Sequence, residues 1–187
     1  MQVMQKGLGP NMDFVQSNTY NNLINALDDC YRNSGKHYLF NQMAYQEDLI
    51  QVSFLFDTTS RNNEFIAERL RRELYGGDTS TLDNLVEASN DSLAESSEYR
   101  EYSRIAIEEG YDQLASLFNG IANIKLNHNV DFSTLVSDIK ANQLLCKSEE
   151  VLWICIGCGN ILSGVCAPEI CPVCGYPQGY YEMLSYL

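Results

Sequence analysis

From residue 19 to about residue 145, apolar side chains recur at three- and four-residue intervals in four long runs separated by short polar or glycine-bearing joins. The first run starts at Thr19, with Asn18 or Thr19 placed to cap it, and puts Leu23, Ala26, Leu27, Cys30 and Tyr31 on one helical face. Gly35 weakens this helix locally without ending it. The second spans about Gln46 to Tyr75, with Leu49, Val52, Phe56, Phe65, Ile66 and Leu70 on its apolar side, and Gly76-Gly77 as its stop. The third runs from Thr81 to about Glu109, ending at Gly110. The fourth starts at Tyr111 and carries Leu114, Leu117, Phe118, Ile121, Ile124 and Leu135 to about Leu145, with a break expected near Asn127–Asn129. Four helices of these lengths on short loops predict an antiparallel four-helix bundle over residues 19–146. Residues 1–18, rich in Gly, Gln and Asn, predict a flexible arm.

A short repeat runs through the helices. Thr19-x-x-Asn22-Leu23-x-x-Ala26-x-x-Asp29 recurs as Thr81-x-x-Asn84-Leu85-x-x-Ala88-x-x-Asp91, so the start of the first run is echoed at the start of the third. Two helix pairs descended from one duplicated hairpin would leave this trace.

The periodicity stops at a hydrophilic join, Lys147-Ser148-Glu149-Glu150, and a different signal takes over. Cys155-Ile156-Gly157-Cys158-Gly159 and Cys171-Pro172-Val173-Cys174-Gly175 are two Cys-x-x-Cys pairs, each followed by glycine. Two residues between cysteines let one turn aim both sulfurs at a point, so two such turns can offer four thiolates to a tetrahedral ion. The glycine tolerates a positive φ and lets backbone N–H groups approach the sulfurs. A thioredoxin-like motif needs one such pair, and a bridge framework fits poorly with cysteines paired at this spacing. The donor set suits zinc or a single redox iron equally.

The stretch from Trp153 through Cys155 and Cys158, then Ala167-Pro168-Glu169 before Cys171 and Cys174, closing on Tyr180-Tyr181-Glu182, resembles the rubredoxin-like tail of rubrerythrins. Glu108-Glu109-Gly110-Tyr111 resembles the turn between two helices in the same family. The resemblance implies iron as the metal of Cys155, Cys158, Cys171 and Cys174. It also implies a ferritin-like bundle upstream that usually carries a di-iron site, and a rubredoxin-like or zinc-ribbon-type domain over residues 151–187. Family members pass electrons from the tail iron to the di-iron site, which reduces hydrogen peroxide, and commonly dimerise head to tail.

A carboxylate-bridged di-iron site needs a Glu from each of two helices and a Glu-x-x-His pair from each of the other two. The chain has two histidines, and Ser34 and Lys125 stand three residues before His37 and His128, so the pattern is absent. By resemblance, His128 falls at the fourth-helix histidine and Lys125 in place of its Glu partner. The second-helix positions hold Ser60 and Asn63, or Asn62 and Phe65, and the first-helix Glu falls near Asp29-Cys30. An ammonium where two cations must bind argues that the di-iron centre is lost. A residual or rearranged site would use Asp91, Glu95 and His128, with Glu64 or Asp29. The favoured reading is that Asp91, Glu95 and Glu98 form a solvated acidic face and His128 is a hydrogen-bonded bundle histidine. Tyr99 and Tyr102 are expected to serve packing.

Composition adds little beyond this. At 187 residues the chain accommodates a bundle and a small module that needs a metal in place of a core. A net charge of −13 disfavours nucleic acid and anionic membranes and would favour a basic protein partner. No apolar run approaches a membrane span and residues 1–18 do not read as a signal peptide, so a cytoplasmic protein is expected. Of the three remaining cysteines, Cys30 and Cys146 are expected to be buried small hydrophobes and Cys166 a bystander. The expected function is a rubrerythrin-like metal protein with one four-cysteine iron, linked to electron transfer in peroxide defence and acting as a homodimer with a redox protein partner. The alternatives are a non-enzymatic scaffold with a structural zinc, and a non-haem di-iron peroxidase with rearranged ligands.

Overall fold

The computed structural model describes residues 13–184. Most of the expected flexible arm lies outside the described residues. Its last part is ordered, because Asp13 caps a 3-10 turn over Phe14–Gln16 and Phe14 sets its ring edge-on to Tyr20 at 5.5 Å. Ser17, not Asn18 or Thr19, caps the first helix: its hydroxyl donates to the Phe14 carbonyl at 2.7 Å and accepts from the Tyr20 amide at 3.1 Å.

Among the described residues four α-helices follow: α1 (Asn18–Gln46), α2 (Ile50–Tyr75), α3 (Thr81–Glu108) and α4 (Asp112–Lys140). The turn into α2 contains no glycine. Asp48 takes a φ of 58° there, a left-handed conformation that Asp tolerates better than most side chains, and α2 begins at Ile50 instead of Gln46. Gly76, at φ 72°, ends α2 as its sequence position suggests. Ser80 and Asp83 form a reciprocal capping box at the start of α3. The break expected near Asn127–Asn129 does not occur. Asn129 faces α3 and donates to the Ser89 carbonyl at 2.8 Å and hydroxyl at 2.9 Å, so its polar group is satisfied inside a continuous helix.

The chain divides into two compact units between Thr79 and Ser80. The first contains the α1–α2 hairpin; the second contains the α3–α4 hairpin and the tail. Each hairpin closes on small residues at heptad spacing: Ser53, Ser60 and Ala67 on α2, Ser89, Ser96 and Ser103 on α3, Ala115 and Ala122 on α4. Small side chains let the backbones approach closely, and their hydroxyls find acceptors across the seam. The register that maps Thr19 onto Thr81 also maps Ser34 onto Ser96 and Ser60 onto Ala122. The Ser60 hydroxyl donates to the Ser34 carbonyl at 3.0 Å, and at the equivalent pair the Ser96 hydroxyl donates to the Ala122 carbonyl at 2.9 Å. Likewise Ser53 donates to Asn41 Oδ1 at 2.5 Å, and the equivalent pair joins the Ser103 hydroxyl to the Ala115 carbonyl at 2.8 Å. The repeat in the sequence is thus a repeat of inter-helical contacts. Cys30 is buried against Leu27 and Ala67, as expected of a small hydrophobe.

The tail is a three-stranded antiparallel sheet in the order β2-β1-β3, with β1 Cys146–Cys155, β2 Ile161–Cys166 and β3 Tyr181–Met183. The hydrophilic join is therefore no linker, since β1 starts at Cys146 and Lys147 pairs with Asp138 of α4 at 2.6 Å. Between the Cys146↔Cys166 and Val151↔Gly164 pairs the register shifts, with Lys147 to Glu150 of β1 opposite Val165 alone on β2. The tail core holds Trp153, Cys155, Ala167, Cys171 and Tyr181, and the Trp153 indole N–H donates to the Gly164 carbonyl at 3.0 Å. Cys146 and Cys166 form a disulfide. This corrects the expectation of a free buried cysteine and a bystander: the antiparallel pairing of β1 with β2 sets the two residues directly opposite each other.

Ser96→Leu is expected to overpack the α3–α4 seam and destabilise the protein by about 1–3 kcal/mol, read as a lower denaturant midpoint at unchanged slope.

Candidate metal centre

The first Cys-x-x-Cys pair straddles the end of β1 and the turn after it; the second lies in a turn between β2 and β3. The two turns repeat one geometry. Gly159 N–H donates to the Cys155 carbonyl at 2.7 Å and Gly175 N–H to the Cys171 carbonyl at 2.9 Å, with the glycines at φ 77° and 76°. Both need the left-handed region that glycine enters without strain. Cys155 N–H donates to the Asn160 carbonyl at 2.9 Å and Cys171 N–H to the Tyr176 carbonyl at 2.8 Å, so each loop is pinned at its first cysteine.

These turns bring Cys155, Cys158, Cys171 and Cys174 together with all four sulfurs within 4.8 Å of one another. The Cys155–Cys174 and Cys158–Cys171 sulfur separations are both 3.7 Å. Metal–sulfur bonds near 2.3 Å at tetrahedral angles require sulfur separations of about 3.8 Å. The donor set therefore fits a tetrahedral thiophilic ion. Cys155 and Cys171 are buried, and Cys158 and Cys174 reach solvent.

The surroundings divide the four thiols. The Tyr181 hydroxyl beside its sulfur, with the Cys174 and Val173 amides, holds Cys171 down at about 6. The Tyr176 amide favours the Cys174 thiolate, but desolvation and the sulfurs of Cys158, Cys171 and Cys155 push that thiol up to about 12. Cys158 is also raised: its Asn160 amide contact is outweighed by desolvation and by Cys171 and Cys155. One thiolate is thus stabilised by the protein alone, while desolvation and crowding oppose ionisation of Cys158 and Cys174 until a cation joins them. The Tyr181 hydroxyl and Asn160 Nδ2 are buried without an acceptor in hydrogen-bond geometry, so Tyr181 acts on Cys171 as a nearby donor and not through a formed bond. Desolvation, then the Cys171 sulfur, raises the Tyr181 phenol to about 12 and keeps it protonated.

The glycine inside the first pair has a steric reason. A Cβ on Gly157 would run into the ring of Tyr176, which stacks on Tyr180 with centroids 4.4 Å apart. The first loop thus packs bare backbone against the aromatic lid of the second.

The family model described as "Rubrerythrin, rubredoxin-like domain" matches residues 153–182, the segment that carries all four ligands. A rubrerythrin of Clostridium perfringens is 33% identical over 165 residues, covering 78% of this chain and 84% of that protein. This chain belongs to the rubrerythrin family. A rubrerythrin of Nitratidesulfovibrio vulgaris is 29% identical over 182 residues, covering 90% of this chain and 95% of the relative. A solved mixed-valence nigerythrin is 20% identical, with a TM-score of 0.34 over 98% of this chain and 96% of that one. Family membership, with four helices followed by a three-stranded sheet that carries the cysteines, gives the fold class: ferritin-like helices followed by a rubredoxin-like metal domain.

In this rubrerythrin-family chain the helical candidates are each described within their own unit. The four cysteines are the one group of metal-ligating side chains brought together among the described residues. Glu95 pairs with Lys125 at 2.7 Å, Asp91 is exposed, and His128 is exposed with its ring 6.3 Å from that of Phe132. Asp29 pairs with Arg32 at 2.7 Å, and Glu64 accepts from the Ser34 hydroxyl at 3.0 Å. Glu98 accepts from the Tyr102 hydroxyl, and Tyr99, Tyr102 and Phe118 form a three-ring cluster between α3 and α4, the packing role expected of the tyrosines. Sequence reasoning passed over Asn160 and the individual role of Tyr181. Only the aromatic finish and the position just after the first knuckle pointed to them.

Cys171→Ser is expected to abolish metal retention and destabilise the tail while the far-ultraviolet helical signal stays nearly intact, as metal analysis and circular dichroism would show. Gly157→Ala should displace Tyr176 and speed metal loss to a chelator, with quenching or shift of tyrosine fluorescence as an independent readout. Lowering pH should release the metal as protons compete for the thiolates, with Cys171, at about 6 in the metal-free site, more acid-resistant than Cys158 and Cys174.

Proposed function

We propose that this chain is a one-electron carrier of the rubrerythrin type, serving peroxide defence, whose helical di-iron centre has been lost. The observation that carries the reading is the pre-shaped four-cysteine site, in a chain whose candidate carboxylates Glu95, Asp29 and Glu64 already have other partners. Cys155, Cys158, Cys171 and Cys174 would hold the metal; an iron bound there supplies a one-electron couple. Around it, the buried Cys155 and Cys171 anchor the site to the sheet, while exposed Cys158 and Cys174 provide the route to solvent. Exposed Ile156, Val173 and Tyr176 rim that outlet and suit a redox protein docking over the two turns.

Loss of the di-iron centre is supported by the Lys125–Glu95 pair. The ammonium already neutralises the carboxylate that a metal would need, and a divalent cation would meet its repulsion. On the second helix the Ser60 hydroxyl is spent on the Ser34 carbonyl and the Asn63 amide on the Thr59 carbonyl at 2.7 Å. We take the chain to act as a homodimer, as the family resemblance implies; each hairpin, taken by itself, carries apolar side chains on its surface, among them Leu39, Phe54 and Phe65 on the first and Ile107, Leu117 and Val130 on the second. Faces of this kind require cover by further helices.

Metal analysis with a visible absorption spectrum, on protein purified without added zinc, tests the reading. About one iron per chain, with ferric–thiolate charge-transfer bands that bleach on reduction, is the expected result. About three irons per chain would overturn the loss of the bundle site and restore a peroxidase with rearranged ligands. Zinc alone would assign the tail a structural role and the helices a scaffold role. Light scattering at the elution peak is expected to give twice the chain mass.

A further inference from the structure

The tail holds its cysteines in two separate groups. Four converge as the metal ligands, and Cys146 and Cys166 are bonded to each other at the other end of the β1–β2 ladder. That ladder runs from Ile154↔Ile161, next to Cys155, to Cys146↔Cys166. The steps of β2 from Ile161 to Cys166 make it roughly 17 Å long. The disulfide is therefore no alternative ligand pair.

Its position couples it to the metal site all the same. The sulfur bond closes a loop over residues 146–166, a separation of 20. Cys155 and Cys158 lie inside that loop and Cys171 and Cys174 outside it, so the metal joins the loop to the rest of the tail. The ladder is irregular between Val151 and Cys146, so its far end is held in register by the disulfide and by one adjacent backbone bond, from the Ala167 N–H to the Leu145 carbonyl at 2.9 Å. Cys166 is exposed and Cys146 half-buried, which leaves one sulfur open to attack. An environment reducing enough to keep four ligand cysteines as thiolates also acts on a solvent-reachable disulfide in the same sheet.

We propose that Cys146 and Cys166 form a reversible two-electron thiol–disulfide site, closed by hydrogen peroxide and reopened by a dithiol, that sets how firmly the four-cysteine site holds its metal. In closing, one thiolate attacks a peroxide oxygen, the O–O bond breaks and a sulfenic acid and water form. The second thiol displaces the sulfenic oxygen as water when the S–S bond forms, so two thiols and one peroxide give one disulfide and two waters. In reopening, a dithiol attacks Cys166 Sγ, the Cys146–Cys166 bond breaks to a mixed disulfide, and the reductant's second thiol releases Cys166 while the reductant itself becomes the disulfide. Opening the loop frees the first knuckle to move relative to the second and weakens the chelate.

The test uses full-length, metal-loaded protein under anaerobic conditions, treated with dithiothreitol and then with equimolar hydrogen peroxide. Peptide mapping after alkylation in a denaturing chelator reads the pair, and transfer to a chromogenic chelator reads metal retention. Dithiothreitol should open the 146–166 cross-link with the metal still bound, and peroxide should restore it before any ligand cysteine is oxidised. Metal transfer should be on the order of tenfold faster in the reduced form. Cys166→Ser should transfer metal at the reduced rate whatever the treatment, and if that variant does not fold, the wild-type comparison still decides. A disulfide that resists dithiol in the folded protein, ligand oxidation ahead of the pair, or equal transfer rates in the two states would each overturn the proposal.

Discussion

Four sulfurs forced into one small volume set the terms for the tail. Desolvation and crowding raise two of the thiols and a nearby hydroxyl lowers a third, so without a cation the four sulfurs are in conflict over which carries charge. A thiophilic ion resolves the conflict by making all four anionic at once. The core it completes is small: Trp153, Ala167 and Tyr181 are buried with two of the ligands. Three strands of this size bury too little apolar area to be stable alone, and the metal supplies the missing cohesion.

The helical units solve a different problem. Their hairpins close on serine and alanine at heptad positions, so the seams are held by close backbone approach and by hydroxyls that satisfy carbonyls across the interface, beside apolar packing such as Leu27 with Leu70 and Leu74. Beside the seams, Lys125 of α4 pairs with Glu95 of α3.

Much of this was legible in the sequence because it rests on local spacing. Cys-x-x-Cys-Gly encodes a knuckle within a single turn, and the apolar period marks the four helices. Features that depend on tertiary context were not legible. The turn at Asp48 lacks a glycine signal, and Asn129 reads as a breaker until Ser89 is known to face it. The polar run Lys147–Glu150 reads as a linker because its alternation is interrupted by the register shift. For the same reason Cys146 and Cys166 could not be paired: their relation exists only once β2 folds back on β1.

The matched hydroxyl contacts, Ser60 with Ser34 and Ser96 with Ala122, make the two hairpins counterparts position by position. Each seam residue in one hairpin therefore has a defined twin in the other. The chain carries an internal reference: the effect of a residue at one seam can be read against its twin without recourse to a second protein.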